Sequence, residues 1–215
     1  MHTLPLYTPP RCRKNTPDLY CLIGSPGGGL LFDRHPPPLT RRHVVHYCSA
    51  LYRNEVILRG LGQKGVQLRR KIVLPENAPV VRTETVAENT GAAPVPVVLT
   101  SCGWFDVGLP GDPGMVLGYR AQDGKVVEKL FFRPGEETAG SKEYKGAQRP
   151  DGSWSVWHRA GGPRIFNRFS KEQVSICHAW WYTRDENRIW LALRSEERLL
   201  GPGQSMKLEA DYGLE

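Results

Sequence analysis

The segment from Val174 to Tyr182 carries the side chains of this sequence that are best suited to handle a polar ligand. Its apolar positions repeat every second residue, which is typical of a β-strand, so His178 and Trp180 should share one face. An imidazole in a cleft can donate a proton or bind a hydroxyl group, and an indole can stack on the apolar face of a sugar ring. The alternative for His178 is a half-buried side chain held by a hydrogen bond. Trp181 points to the opposite face, so only one of the two adjacent tryptophans can line a cleft.

Three more residues are candidates for substrate binding. Trp104 and Asp106 lie at the end of another predicted strand. Trp104 is either a stacking platform or a packing residue, and Asp106 either accepts from a ligand hydroxyl or belongs to a turn. Arg70 lies among apolar residues, where a charge must be paired or reach water. Its fork of donors suits a sugar hydroxyl or a phosphate, and the alternative is a structural ion pair.

Metal and nucleophile chemistry lack a recognisable motif. His43 and His46 are three residues apart but come with no further ligands, so no metal site is predicted. The five cysteines are odd in number and contain no Cys-x-x-Cys, which argues against a zinc site and a disulfide framework. Free thiols in a reducing cytoplasm explain them most simply. There is no Gly-x-Ser-x-Gly, and no phosphate-loop lysine follows Gly27 to Gly29, so no cofactor is predicted.

The charge of the chain is distributed unevenly. The formal net charge is +7, and residues 1–72 hold 12 Lys and Arg against 3 Asp and Glu. No aromatic-rich RNA motif, Cys/His finger or basic helix accompanies these charges, so a solvated basic face is preferred to a nucleic-acid partner. No apolar stretch approaches the roughly 18 residues of a membrane-spanning helix, and the first residues do not resemble a secretory signal.

The elements that must position these side chains are predicted to be strands. From residue 43 onward the apolar period is 2, and the 23 Gly and 18 Pro suit a chain rich in turns. Strands are predicted at Val66–Leu74, Pro79–Asn89, Pro94–Cys102, Met115–Arg120, Val126–Phe132, Ser153–Arg159, Arg164–Phe169, Gln173–Thr183, Arg188–Arg194 and Ser205–Tyr212. Nine or ten strands with frequent turns favour an all-β, antiparallel sandwich. We expect an irregular segment over residues 1–42, a single β-sandwich domain over 43–215 and a surface loop over 133–152.

Two segments carry a more specific signal. The first runs from Val66 to Gly108 and contains a strand ending in Val86-Ala-Glu-Asn89, then Pro94-Val-Pro, then Cys102-Gly-Trp-Phe-Asp-Val-Gly108. The second is Leu199-Leu-Gly-Pro-Gly-Gln-Ser205, which leads into the last predicted strand. In order and spacing they resemble the galactose mutarotase-like (aldose 1-epimerase-like) superfamily, in which a strand ends in Val-x-Asn, another closes on His-Pro-x-Phe-x-x-Gly, and a Leu-x-Pro-Gly-x-Ser turn precedes the last strand.

The resemblance implies an antiparallel two-sheet supersandwich whose concave face binds a sugar. It implies that Arg70, His178 and Trp180 face a common concave surface, with Trp104 at its rim. Epimerases of the superfamily use a His as general acid and a Glu as general base, because ring opening needs one proton given and one removed. In this sequence Cys102 occupies the position of the superfamily's His, and Glu196 is the residue that best matches its catalytic Glu.

Three functions follow from these observations. The first is a carbohydrate-binding mutarotase-like protein without a secure catalytic pair. The second is an epimerase acting on an aldose or a hexose phosphate, with His178 as acid and Glu196 as base, which requires the two to converge within about 6–8 Å. The third is a structural or interaction domain, and a homodimer is compatible with it, because a shortened sandwich leaves an open sheet edge.

Overall fold

The structure, a computed structural model, describes residues 46–52, 54–61, 65–107, 114–130, 139–182 and 188–215. The predicted irregular segment 1–42 lies outside these residues. The described part of the chain is built almost entirely of antiparallel strands, with one short 3-10 turn at Gly146–Gln148. The all-β, antiparallel prediction is confirmed.

The larger of the two main sheets has nine strands. In spatial order they are β1 (His46–Tyr52), β2 (Glu55–Leu61), β3 (Val66–Val73), β4 (Val80–Asn89), β15 (Ser205–Leu214), β11 (Ile165–Phe169), β10 (Pro150–His158), β7 (Met115–Ala121) and β8 (Val126–Leu130). All pairs of neighbours are antiparallel. Strand β15 therefore joins the meander β1–β4 to the strands at the other end of the sheet.

The smaller main sheet has four strands, which in spatial order are β6 (Thr100–Asp106), β13 (Arg188–Arg194), β12 (Ile176–Tyr182) and β9 (Ala139–Lys145). A two-stranded ribbon pairs β14 (Arg198–Leu200) with β5 (Val95–Val97). The run predicted as one strand over Pro94–Cys102 is thus divided between β5 and β6, which belong to different sheets.

Strand β9 corrects the expectation of a surface loop over residues 133–152. The segment 139–145 pairs along its whole length with β12, even though only Tyr144 in it is buried. Its polar composition follows from its position, because an edge strand with one face away from the core needs few apolar residues.

The core lies between the two main sheets and follows from the period-2 alternation of the strands. Buried side chains of the small sheet, such as Leu191 and Tyr144, face buried side chains of the large sheet, such as Leu208 and Trp154. Aromatic contacts cross the interface: the ring centroids of Tyr144 and Trp154 are 6.0 Å apart, as are those of Phe105 and Tyr212. Because one face of the four-stranded sheet is used for this core, its alternate residues lie on the face directed away from the core, here called the outer face.

Candidate functional site

The outer face of the four-stranded sheet gathers most of the polar and aromatic candidates into rows that run across the strands. Trp180 on β12 lies directly opposite Trp190 on β13, which lies opposite Trp104 on β6. We call these three positions the tryptophan row. The side chains of Trp180 and Trp190 are partly exposed, whereas that of Trp104 lies outside the described part of the structure.

His178 and Trp180 form a stacked pair. Their ring centroids are 3.4 Å apart with an interplanar angle of 30°. Residues two apart on a strand are separated by about 6.7 Å along the strand, so the two side chains lean toward each other. Because the rings stack along the strand direction, the indole stands up from the sheet, with one face covered by the imidazole.

The electrostatic surroundings of His178 keep its imidazole neutral at neutral pH. Burial lowers the pKa of His178 to about 4, an effect that Glu143 opposes and that Lys145 and Arg194 reinforce. Glu143 Oε1 lies 3.9 Å from His178 Nδ1, and only 13% of the His178 side chain is exposed. The pKa of Glu143 is itself lowered, chiefly by its hydrogen bond with Lys145. The pair therefore combines a charged carboxylate with an uncharged imidazole that can accept or donate a hydrogen bond.

A second polar pair flanks the tryptophan row on its other side. Arg188 on β13 donates through Nε to Asp106 Oδ1 on β6 at 2.9 Å, and the two residues are directly opposite in register. The carboxylate of Asp106 is 67% exposed, whereas the Arg188 side chain is 24% exposed. A partly buried guanidinium that orients an exposed carboxylate offers donors and acceptors fixed beside an aromatic platform.

Cys102 also belongs to the outer face but is not available to a ligand. It lies opposite Ala192, one row beyond the tryptophans, and its exposed fraction is 2%. Its burial is ordinary for an unpaired thiol, since free cysteine is among the most buried residue types.

Arg70 is not part of the outer face, which corrects the expected common surface for Arg70, His178 and Trp180. It lies on β3 of the other sheet, on the face directed toward the core, and is 1% exposed. Its Nη2 is 3.5 Å from Ser101 Oγ, which shares a hydrogen bond of 2.9 Å with the Tyr212 hydroxyl. Burial raises the pKa of Tyr212 to about 12, with Arg70 and Ser101 opposing the shift. Strand parity places Arg70 between the sheets, where it belongs to a buried polar cluster.

Glu196 is also separated from His178. The residue opposite His178 on β13 is Ala192, and Glu196 follows four positions later, an offset of about 13 Å along an extended chain. Glu196 is exposed and lines a cleft of about 550 Å³ whose wall also includes Arg69, Arg149 and Lys171 but no member of the tryptophan row. The structure therefore does not bring the expected acid and base to one position.

Three residues of the outer face were missed by sequence reasoning: Trp190, Arg188 and Glu143. Trp190 escaped because Ile189, Trp190 and Leu191 are consecutive apolar residues, so the alternation of β13 does not reveal which face turns away from the core. The usable signal was the hairpin between β12 and β13. Antiparallel strands joined by a short loop place Trp180 and Trp190 near each other once the register is known.

Within the described residues, no group of three or more His, Cys, Asp and Glu side chains could hold a metal ion. The same residues contain no helix of the length and apolarity that crossing a membrane requires.

Comparison with known proteins identifies the architecture. No protein-family model matches the sequence, and no curated protein matches it. Solved structures do match. The Slr1438 protein from Synechocystis sp. PCC 6803 aligns with a TM-score of 0.60 and 12% identity over 81% of this chain and 67% of that one.

Two further structures agree. A galactose mutarotase related enzyme from Lactobacillus acidophilus aligns with a TM-score of 0.59 and 8% identity over 82% of this chain and 72% of its own. A galactose mutarotase-like protein from Clostridium acetobutylicum aligns with a TM-score of 0.55 and 10% identity over 82% of this chain and 67% of that one. At such identities the likeness concerns the fold alone.

Proposed function

We propose that this chain, which has the galactose mutarotase-like fold, binds a carbohydrate on the outer face of its four-stranded sheet. The observation that carries the proposal is the cross-strand pair of Trp180 and Trp190, partly exposed on the face that the core does not use. Large aromatic rings on a sheet surface present apolar area that matches the C–H faces of a pyranose. The same rings would otherwise be expected in the core.

The polar neighbours of the two tryptophans support this proposal. Asp106 and Arg188 lie on one side of the row, and His178 and Glu143 lie on the other. A sugar hydroxyl is both donor and acceptor, so it is bound well by a carboxylate, a guanidinium and a neutral imidazole held in fixed positions. Sites of this kind, with an apolar platform and a few oriented polar groups, are typical of small-molecule binding.

Mutarotation has less support than binding. Ring opening needs a base at the anomeric hydroxyl and an acid at the ring oxygen. His178 is neutral at pH 7, Glu196 lines a different cleft, and Cys102 is buried at the position where related enzymes are expected to have a His. We therefore expect the optical rotation of fresh glucose or galactose solutions to relax at the uncatalysed rate when the protein is added. A concentration-dependent acceleration would establish the enzymatic alternative.

Binding is tested by NMR or calorimetric titration with a panel of hexoses, hexose phosphates and oligosaccharides. We expect saturable binding by at least one sugar at millimolar concentration or below, which corresponds to about 4 kcal/mol or more of binding free energy. The absence of a response to every sugar of the panel would contradict the proposal.

The site is tested with Trp180→Ala. This variant should bind the best sugar of the panel more weakly and keep its fold, because Trp180 is partly exposed, whereas removal of a core Trp costs about 3–5 kcal/mol. Trp157→Ala is the matched control, since Trp157 is also partly exposed but lies on the large sheet, 4.0 Å from the Arg164 guanidinium. A large fall in melting temperature for Trp180→Ala would show that Trp180 is a packing residue, and the site would then have to be reassigned.

A further inference from the structure

The outer face contains two sets of aromatic and polar residues, not one. Trp190 on β13 is accompanied by Arg188, two residues away on the same strand, and by the paired carboxylate of Asp106 on β6. Trp180 on β12 is accompanied by His178, two residues away on its own strand, and by Glu143 on β9. Each tryptophan thus has its own pair of polar partners, and the two sets occupy adjacent strands.

The spacing of the two sets is fixed by the sheet. Neighbouring strands are about 4.8 Å apart, so the tryptophan row extends about 10 Å from β12 across β13 to β6. A pyranose ring is about as wide as one strand spacing, so a single ring that stacks on Trp190 and contacts Asp106 leaves Trp180 uncovered. The adjacent tryptophan and its polar partners are then in place for a second ring.

The stacking of His178 on Trp180 determines which side of the row stays available. At a centroid separation of 3.4 Å no ligand ring fits between these two side chains, so a sugar that stacks on Trp180 has to use the other face of the indole. Since Trp180 and Trp190 are directly opposite each other on neighbouring strands, a ligand that contacts both would have its long axis across the strands.

We propose, resting on the proposed function, that the ligand is a linear oligosaccharide of two or more units, bound across β12, β13 and β6 in two adjacent subsites. Trp190, Arg188 and Asp106 form the first subsite. Trp180, with His178 and Glu143 behind it, forms the second. This arrangement selects for chain length, because only a second sugar unit reaches Trp180 while the first is held by Asp106.

The experiment is a calorimetric titration of the full chain with glucose, galactose and the 1,4-linked di- and trisaccharides of each, including maltose and cellobiose. We expect the dissociation constant of the best disaccharide to be at least tenfold lower than that of its monosaccharide. Equal dissociation constants for the mono-, di- and trisaccharides of every series would overturn the two-subsite proposal and leave the proposed function standing. No binding by any of these sugars would overturn the inference, and if the wider panel of hexoses, hexose phosphates and oligosaccharides gave no response either, the proposed function would fail with it.

Two variants distinguish the subsites. Trp180→Ala should make the disaccharide bind no better than the monosaccharide while monosaccharide binding is retained in the first subsite. Asp106→Asn should weaken both ligands by a similar factor, because both use the first subsite. Trp157→Ala is the control that should change neither, and circular dichroism of each variant checks its fold. If Trp180→Ala weakens both ligands equally, the two tryptophans serve one subsite and the proposal fails.

Discussion

The side-chain amide of Asn89 donates a hydrogen bond of 2.8 Å to the backbone carbonyl of Leu200, which lies 111 residues later in the chain. The same Nδ2 donates to the Ala93 carbonyl at 2.8 Å, and Oδ1 accepts from the Gly91 backbone N–H at 2.9 Å. The backbone of Asn89 is bonded in turn to Gly203 and Gln204. One buried residue therefore joins the end of β4 to the turn before β15, which are the two segments whose spacing resembles the galactose mutarotase-like proteins.

Replacement of Asn89 by Ala should lower the free energy of unfolding by about 2–4 kcal/mol, because three hydrogen bonds are lost and the buried Leu200 carbonyl loses its donor. Urea unfolding followed by tryptophan fluorescence measures this change. Gln67→Ala, at an exposed position of β3, should change stability by less than about 0.5 kcal/mol. A loss below 1 kcal/mol for Asn89→Ala would mean that the turn is held by other contacts.

Gly103 marks a position where the two main sheets leave no room for a side chain. A Cβ atom there would lie 2.5 Å from Phe105 Cζ and 2.6 Å from Tyr212 Cε1. Gly103→Ala should therefore destabilise the protein by about 1–3 kcal/mol through overpacking. Gly201→Ala is the matched control, since its Cβ would only approach the Gln204 side chain at 3.4 Å. Equal melting temperatures for the two variants would refute the prediction.

His178 should give the protein a pH dependence in the mildly acidic range. Its pKa falls from 6.5 to about 4 on folding, so between these values the unfolded chain binds a proton that the native protein does not. The free energy of unfolding should decrease as the pH falls from about 6.5 toward 4, whereas above 6.5 this contribution is constant. Stability curves of the wild type and His178→Gln should diverge over this range.

An NMR titration of His178 provides the direct measurement, and Glu143→Gln provides its control. The Glu143 carboxylate favours the protonated imidazole, so the variant should titrate at a lower pH than the wild type. A wild-type pKa at or above 6.5 would show that the imidazole is not desolvated, and the neutral state assigned to it at neutral pH would be wrong.

Glu196 should be dispensable for sugar binding. Because it lies in a cleft that contains no residue of the tryptophan row, Glu196→Gln should change the dissociation constant by less than twofold. Asp106→Asn, measured beside it by calorimetry, should weaken binding clearly. A loss of binding in Glu196→Gln comparable to that of Asp106→Asn would restore Glu196 as a site residue.

The sequence predicted the strands well because alternation is a local signal, and β3, β12 and β15 were all recognised from it. Alternation reveals which residues of a strand share a face but not where that face is directed. Arg70 illustrates this limit. Alternation correctly grouped Arg70 with its apolar neighbours on one face of its strand, but that face is directed into the core and not toward a ligand. For Trp190 the difficulty is different. Apolar residues occupy both faces of β13, so the sequence does not reveal that Trp190 lies on the outer face.

Residues that act together from separate strands are harder to find than the strands themselves. Glu143 lies on β9, whose polar composition predicted a loop, so its position beside His178 depends on a pairing that no local pattern reveals. The partnership of Arg188 with Asp106 depends likewise on the register between β13 and β6.

The place of β15 in the large sheet has a consequence for how the chain reaches its native state. The meander β1–β4 and the strands β11, β10, β7 and β8 are joined only through β15 within the described sheet, and β15 is the last of the described strands to be synthesised. Contacts across this joint connect residues far apart in the chain, such as Thr83 and Ala210, which are 127 residues apart and joined by a hydrogen bond from the Thr83 hydroxyl to the Ala210 carbonyl. Pairings so distant along the chain make folding slow, because loop closure precedes any gain from contact. Until β15 leaves the ribosome, the edges of β4 and β11 lack their native partner, and during that interval the nascent chain is most exposed to aggregation through edge-to-edge pairing.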